Sequence, residues 1–122
     1  MGRSWGWRLL AGIGALVFAL GLGTACTSAP AVDQNAVIID VRTPAEYQAG
    51  HLEGARNIDV QGATFASEIA ALPKDAAYAL YCRSGVRAGN ALSMMKQAGF
   101  SNVTNLGGID AAAKTTGRAI VQ

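Results

Sequence analysis

The segment that most restricts the fold of this chain runs from Tyr78 to Phe100. Tyr78-Ala79-Leu80-Tyr81 is a short apolar run of the kind that forms a strand buried on both faces. From Arg87 to Ala98 the period changes: Ala88, Ala91, Leu92, Met95 and Ala98 recur on one helical face, and Gly99 stands as a cap with Phe100 behind it. Met94 and Met95 both read as core filling. A strand that feeds a helix through Cys82-Arg83-Ser84-Gly85-Val86 is half of a crossover unit, and parallel strands are the ones that need crossovers. The rest of the chain must therefore supply parallel partners.

It does so on both sides. Ala36-Val37-Ile38-Ile39-Asp40-Val41 is β-branched and nearly all apolar, a second buried strand, with Asp40 and Arg42 at the carboxyl end where open α/β sheets place their ligand crevice. Thr43-Pro44-Ala45-Glu46 is a capping box with proline at the first helical position, and Gly50 is placed to end that short helix. His51 to Ile58 is a glycine-punctuated loop running into a very short strand. Phe65, Ile69 and Leu72 recur at helical spacing until Pro73 stops them, and Lys74-Asp75 forms a polar turn before Tyr78. Ser101 to Leu106 reads as a strand, Gly107-Gly108 as a turn, Ile109 to Thr116 as a weak helix and Arg118 to Val121 as a terminal strand or tail. Strands alternating with helices imply an α/β domain with a parallel sheet of about five strands, flanked by helices on both faces. No internal repeat and no metal-ligand spacing is visible.

The first quarter does not belong to that domain. Met1 to Arg8 holds two arginines and no acid, Leu9 to Leu22 is apolar and glycine-rich, and Gly23-Thr24-Ala25 supplies small residues before Cys26. This is the layout of a secretory signal. The apolar run falls short of the roughly 20 residues a membrane-spanning helix needs. Residues 1–26 thus read as a signal peptide, 27–35 as a Ser/Pro/Ala/Thr linker and 36–122 as the domain. The whole chain is formally +2, yet without Arg3 and Arg8 the ten basic residues come down to match the eight acids. A neutral domain gives no support for nucleic-acid binding. Of the two cysteines, one closes the signal, so Cys82 stands as the unpaired thiol of an exported domain. A Cys26 to Cys82 disulfide is the competing arrangement.

Cys82 sits where a strand turns into a helix, beside Arg83 and Arg87. Unpaired N–H groups at a helix start attract anions, and neighbouring cations favour the thiolate, which is the nucleophilic form of cysteine. His51 is the single histidine and hence the first candidate for a general base; a backbone-bonded turn histidine is the alternative.

Taken together, Asp40-Val41-Arg42-Thr43-Pro44-Ala45-Glu46-Tyr47, Gly50-His51-Leu52-Glu53-Gly54-Ala55 with Asn57-Ile58, Cys82-Arg83-Ser84-Gly85-Val86-Arg87 and Gly107-Gly108 closely resemble the rhodanese family, in the same order and at family-like spacing. The resemblance covers about Ala36 to Val121 and is nearest to the small, single-domain, exported rhodaneses. Separately, Cys26 after its small residues resembles the lipobox of bacterial lipoproteins, with Gly23 where leucine is usual. That likeness implies a lipid on Cys26 holding the domain to the outer face of a bacterial cell membrane; without it the protein would be periplasmic or secreted.

The rhodanese resemblance implies a thiosulfate sulfurtransferase. Cys82 is then the nucleophile that carries sulfane sulfur as a persulfide, with no metal or other cofactor, and delivers it to cyanide or a thiol. Arg83, Ser84, Gly85, Val86 and Arg87 correspond to the loop that cradles the persulfide and an anionic donor such as thiosulfate. Asp40, Arg42, Glu46 and His51 match positions that are mainly structural in the family, so His51 is not assigned as a base. The chain departs from the family at Ala88, where Ser or Thr is common, and at Ala112, where an aromatic is common. Related phosphatases and arsenate reductases place five residues between cysteine and arginine, against four between Cys82 and Arg87, which favours sulfur transfer. A sulfur- or redox-sensing binding module is the non-enzymatic alternative.

Overall fold

The computed structural model describes residues 32–122. The expected signal, Cys26 and the linker before Val32 lie outside the described residues. The elements in chain order are β1 (Val37–Asp40), α1 (Pro44–Ala49), β2 (His51–Leu52), β3 (Arg56–Asn57), α2 (Phe65–Ala70), β4 (Ala77–Cys82), α3 (Val86–Gln97), β5 (Asn102–Gly108), α4 (Ile109–Thr116) and β6 (Ile120–Val121). The two apolar runs pair at the centre: β1 lies parallel to β4 with Ile39 beside Leu80, and the sheet order is β3-β1-β4-β5.

Alternation along these strands divides the core in two. Ile39, Leu80, Cys82 and Val103 face Phe65, Ile69, Ala91 and Met95, so α2 and α3 cover one side. Ile38, Ala79, Tyr81 and Leu106 face Leu52 and Ala112, with Tyr47 and Ile109 packed against them, so α1, β2 and α4 cover the other. The sheet is therefore parallel and flanked on both faces. Ala112, one of the two departures noted above, is wholly buried. Val32 also packs on this second cluster, and Asp33 caps the turn that enters β1 through the Asn35 N–H at 2.8 Å.

Three expectations are corrected. The parallel sheet has four strands, not about five, because the terminal segment joins a separate antiparallel pair, with His51 opposite Val121 and Leu52 opposite Ile120. The reason is where α4 leaves the chain: it packs against β2 and β5, and Gly117, at φ 69, turns the backbone towards β2 and away from a sheet edge. Glu53 N–H then bonds Ala119 O at 2.9 Å. Met95 is buried but Met94 is 40 % exposed, since one residue along a helix is a rotation of about 100°. Gly107-Gly108 also differ from a free turn: they form the end of β5, where its pairing with β4 shifts register between Leu80 and Cys82. Among the described residues, no helix is long and apolar enough to cross a membrane.

Candidate active site

The cysteine loop is short because β4 ends on Cys82 and α3 begins at Val86. Gly85 makes the turn possible: its φ of +97 is left-handed, and a β-carbon there would lie 3.2 Å from the Gly107 Cα. Gly108 is constrained by contact alone, since its φ is ordinary but a β-carbon would come 2.5 Å from the Arg83 carbonyl oxygen. The loop thus rests directly on the glycine end of β5. Within it, the Gly85 N–H donates to Cys82 Sγ at 2.9 Å.

Cys82 has no exposed surface. That burial by itself pushes its thiol up, but backbone N–H groups of Ala88, Ser84, Gly85 and Arg87 outweigh it, and the net direction is below the ordinary thiol value. The departure at Ala88 therefore leaves a backbone donor in place. What the fold builds is a buried sulfur whose anionic form is met by converging main-chain dipoles at the start of a helix.

The two loop arginines separate. Arg87 turns to α1 and forms a two-point ion pair with Glu46, at 2.8 and 2.9 Å. Its hydrogen bond holds the Glu46 carboxyl down at about 2 from the usual 4.5, and the guanidinium is raised in turn. Glu46 also completes the capping box through Thr43 N–H and Oγ1. Arg83 and Ser84 are exposed, and among the described residues no carboxylate pairs with Arg83. Val86 is 70 % exposed, unusual for a branched apolar side chain beside a buried thiol.

The other expected residues brace the neighbouring strand end. Asp40 is fully buried and takes Arg42 Nε and Nη2 at 2.9 and 2.6 Å, while the same Nη2 reaches the Gly50 carbonyl at 2.6 Å. The Arg42 guanidinium lies 5.6 Å from the centre of the Tyr81 ring. His51 Nδ1 meets Tyr47 O at 2.8 Å and its ring stacks on Tyr47 with centroids 3.7 Å apart. Its contacts are therefore with the end of α1, not with the thiol. Among the described residues no group of three potential metal ligands occurs.

One residue was passed over in the sequence. Asn105 Nδ2 donates to Gly85 O at 3.1 Å, and its Oδ1 accepts Gly107 N–H at 2.8 Å. The asparagine placed two residues before Gly107 is an Asx-turn signal that was available, but its bond to Gly85 depends on β5 lying beside β4.

Comparison with known proteins follows the same outline. The rhodanese-like domain model matches residues 27–115. The chain is 44% identical over 78 residues to the probable adenylyltransferase/sulfurtransferase MoeZ of Mycobacterium tuberculosis, covering 63% of this chain but only 20% of that protein. It is 34% identical over 71 residues to the thiosulfate sulfurtransferase PspE of Escherichia coli, covering 58% of this chain and 68% of that one. Among solved structures, a rhodanese with anions from E. coli superposes with a TM-score of 0.59 at 30% identity, covering 71% of this chain and 98% of that chain.

Proposed function

Because this chain belongs to the rhodanese-like domain family of sulfurtransferases, we propose that it is a thiosulfate sulfurtransferase in which Cys82 carries the transferred sulfur. The observation that carries this reading is the set of loop N–H groups converging on Sγ, with Gly85 at 2.9 Å. In the first half-reaction the Cys82 thiolate attacks the outer sulfur of thiosulfate. A new sulfur–sulfur bond forms as the donor's own breaks, and sulfite leaves with the electron pair. In the second, cyanide or a thiolate attacks the outer sulfur of the persulfide and takes it as thiocyanate or a new persulfide, and the electron pair returns to Sγ. Splitting the transfer in this way gives ping-pong kinetics.

The residues divide the work. Arg83 presents a cation to the anionic end of the donor, in keeping with the anions of the E. coli rhodanese. Ser84, Gly85, Val86 and Arg87 serve through their main chain, which meets the negative charge on the persulfide sulfur. Arg87 contributes no side-chain grip, because Glu46 occupies it. That same pairing keeps the Arg87 guanidinium from closing on a phosphate or arsenate.

Incubating the full chain with thiosulfate and weighing the Cys82 peptide tests the reading. One added sulfur, removed by cyanide with repeated turnover, is expected, and Cys82→Ser should have no activity. Turnover retained in Cys82→Ser overturns the assignment; loading without turnover converts it to a sulfur-sensing module.

The reading extends to location. Residues 1–26 direct export and Cys26 takes lipid, which holds the domain on the outer face of the membrane and leaves Cys82 as the thiol of the mature chain. Radiolabelled palmitate should be incorporated by the wild type and not by Cys26→Ser, which should leave the membrane fraction. Equal labelling of both removes the anchor.

A further inference from the structure

The end of β5 touches the cysteine loop at three points. Two are steric, Gly107 against Gly85 and Gly108 against the Arg83 carbonyl. The third is the Asn105 amide; besides Cys82 Sγ itself, it is the one side chain among the described residues that bonds the main chain of residues 83–86. The Gly85 carbonyl it holds also accepts the Gly89 N–H at 2.9 Å, the bond that opens α3. With both acceptor directions of that carbonyl filled, the Gly85–Val86 peptide is pinned. Gly85 carries both this pinned carbonyl and the N–H that donates to Cys82 Sγ at 2.9 Å. The setting of that donor therefore depends on a contact made from another strand. Asn105 itself is anchored by its second bond, to Gly107 N–H.

We propose that Asn105 is a positioning residue for Cys82, acting through the Gly85 carbonyl to hold the loop N–H groups in the arrangement that favours the thiolate and its persulfide. This rests on the sulfurtransferase reading for its purpose but not for its geometry. Asn105 is exposed, so its replacement removes little packing. Two variants separate its two bonds. Asn105→Ala deletes both. Asn105→Ser keeps a hydroxyl able to accept Gly107 N–H two residues on, yet is too short to reach Gly85.

The experiment follows alkylation of the Cys82 peptide by iodoacetamide against pH in the full chain, with thermal unfolding recorded in parallel. Both variants are expected to fold and to move the alkylation midpoint to higher pH, and below that midpoint the rate should fall about threefold, part of what one neutral hydrogen bond is worth. Asn105→Gln, which keeps the amide, should return the midpoint towards wild type. A wild-type midpoint in folded Asn105→Ser overturns the proposal, and so does failure of both deletion variants to fold, which would make Asn105 a stability residue. If the wild type gains no sulfur from thiosulfate while the midpoints still separate, the sulfurtransferase reading fails and the positioning role stands.

Discussion

Glu46 is the residue on which the loop and its neighbouring helix meet. It accepts from Thr43 at the start of α1 and from both ends of the Arg87 guanidinium. Its carboxyl is depressed in the folded state, so the pairing contributes stability that is present above pH 4.5 and is lost as pH falls towards about 2. The wild type should therefore lose melting temperature over that interval more steeply than Glu46→Gln, which has no such group to protonate; parallel curves in a pH series of thermal melts would count against it. Cys82 titrates in the same sense. Its thiol is held down by loop N–H groups against the upward push of burial, so the Cys82 alkylation midpoint should lie below that of a free cysteine, about 8.5.

At the level of elements, α3 and β5 do different work for the site. α3 supplies main-chain donors at its start and is held to the sheet by Ala88, Ala91 and Met95, all without exposed surface. Met95→Ala should cost about 3 kcal/mol in urea unfolding, as a large buried side chain leaves a cavity, whereas Met94→Ala should stay within about 0.5 kcal/mol. β5 supplies a platform. Gly108→Ala would set a methyl group 2.5 Å from the Arg83 carbonyl oxygen, so the loop must shift. Sulfur transfer should fall at least tenfold, since small misplacements of reacting groups are costly, and an unchanged rate would show that the loop accommodates the methyl.

For the molecule as a whole, the carboxyl ends of β1 and β4 are joined by one buried charge cluster. Asp40, Arg42, the Gly50 carbonyl and the Tyr81 ring tie the central strands to the end of α1. Removing one member strands the other, so Asp40→Ala should cost about 3 kcal/mol, read from the urea midpoint, because Arg42 would keep its burial and lose its carboxylate. A change under about 1 kcal/mol would show that water reaches Arg42 freely.

Much of this was written locally. The strands at β1 and β4, the capping box at Thr43, the helical face ending at Gly99 and the glycine turn after Cys82 each follow from a few adjacent residues, because periodicity, capping and left-handed φ act over one or two turns of chain. What the local pattern could not carry was any pairing across the fold. That Arg87 faces Glu46, that β6 leaves the sheet to join β2, and that Asn105 holds the Gly85 carbonyl are contacts between residues 20 to 70 positions apart. By itself the sequence determined a cysteine loop between strand and helix on a parallel α/β scaffold. Only the tertiary structure decided which arginine pairs with Glu46 and which strand lies against the cysteine loop, since both depend on where crossover connections bring distant backbone together.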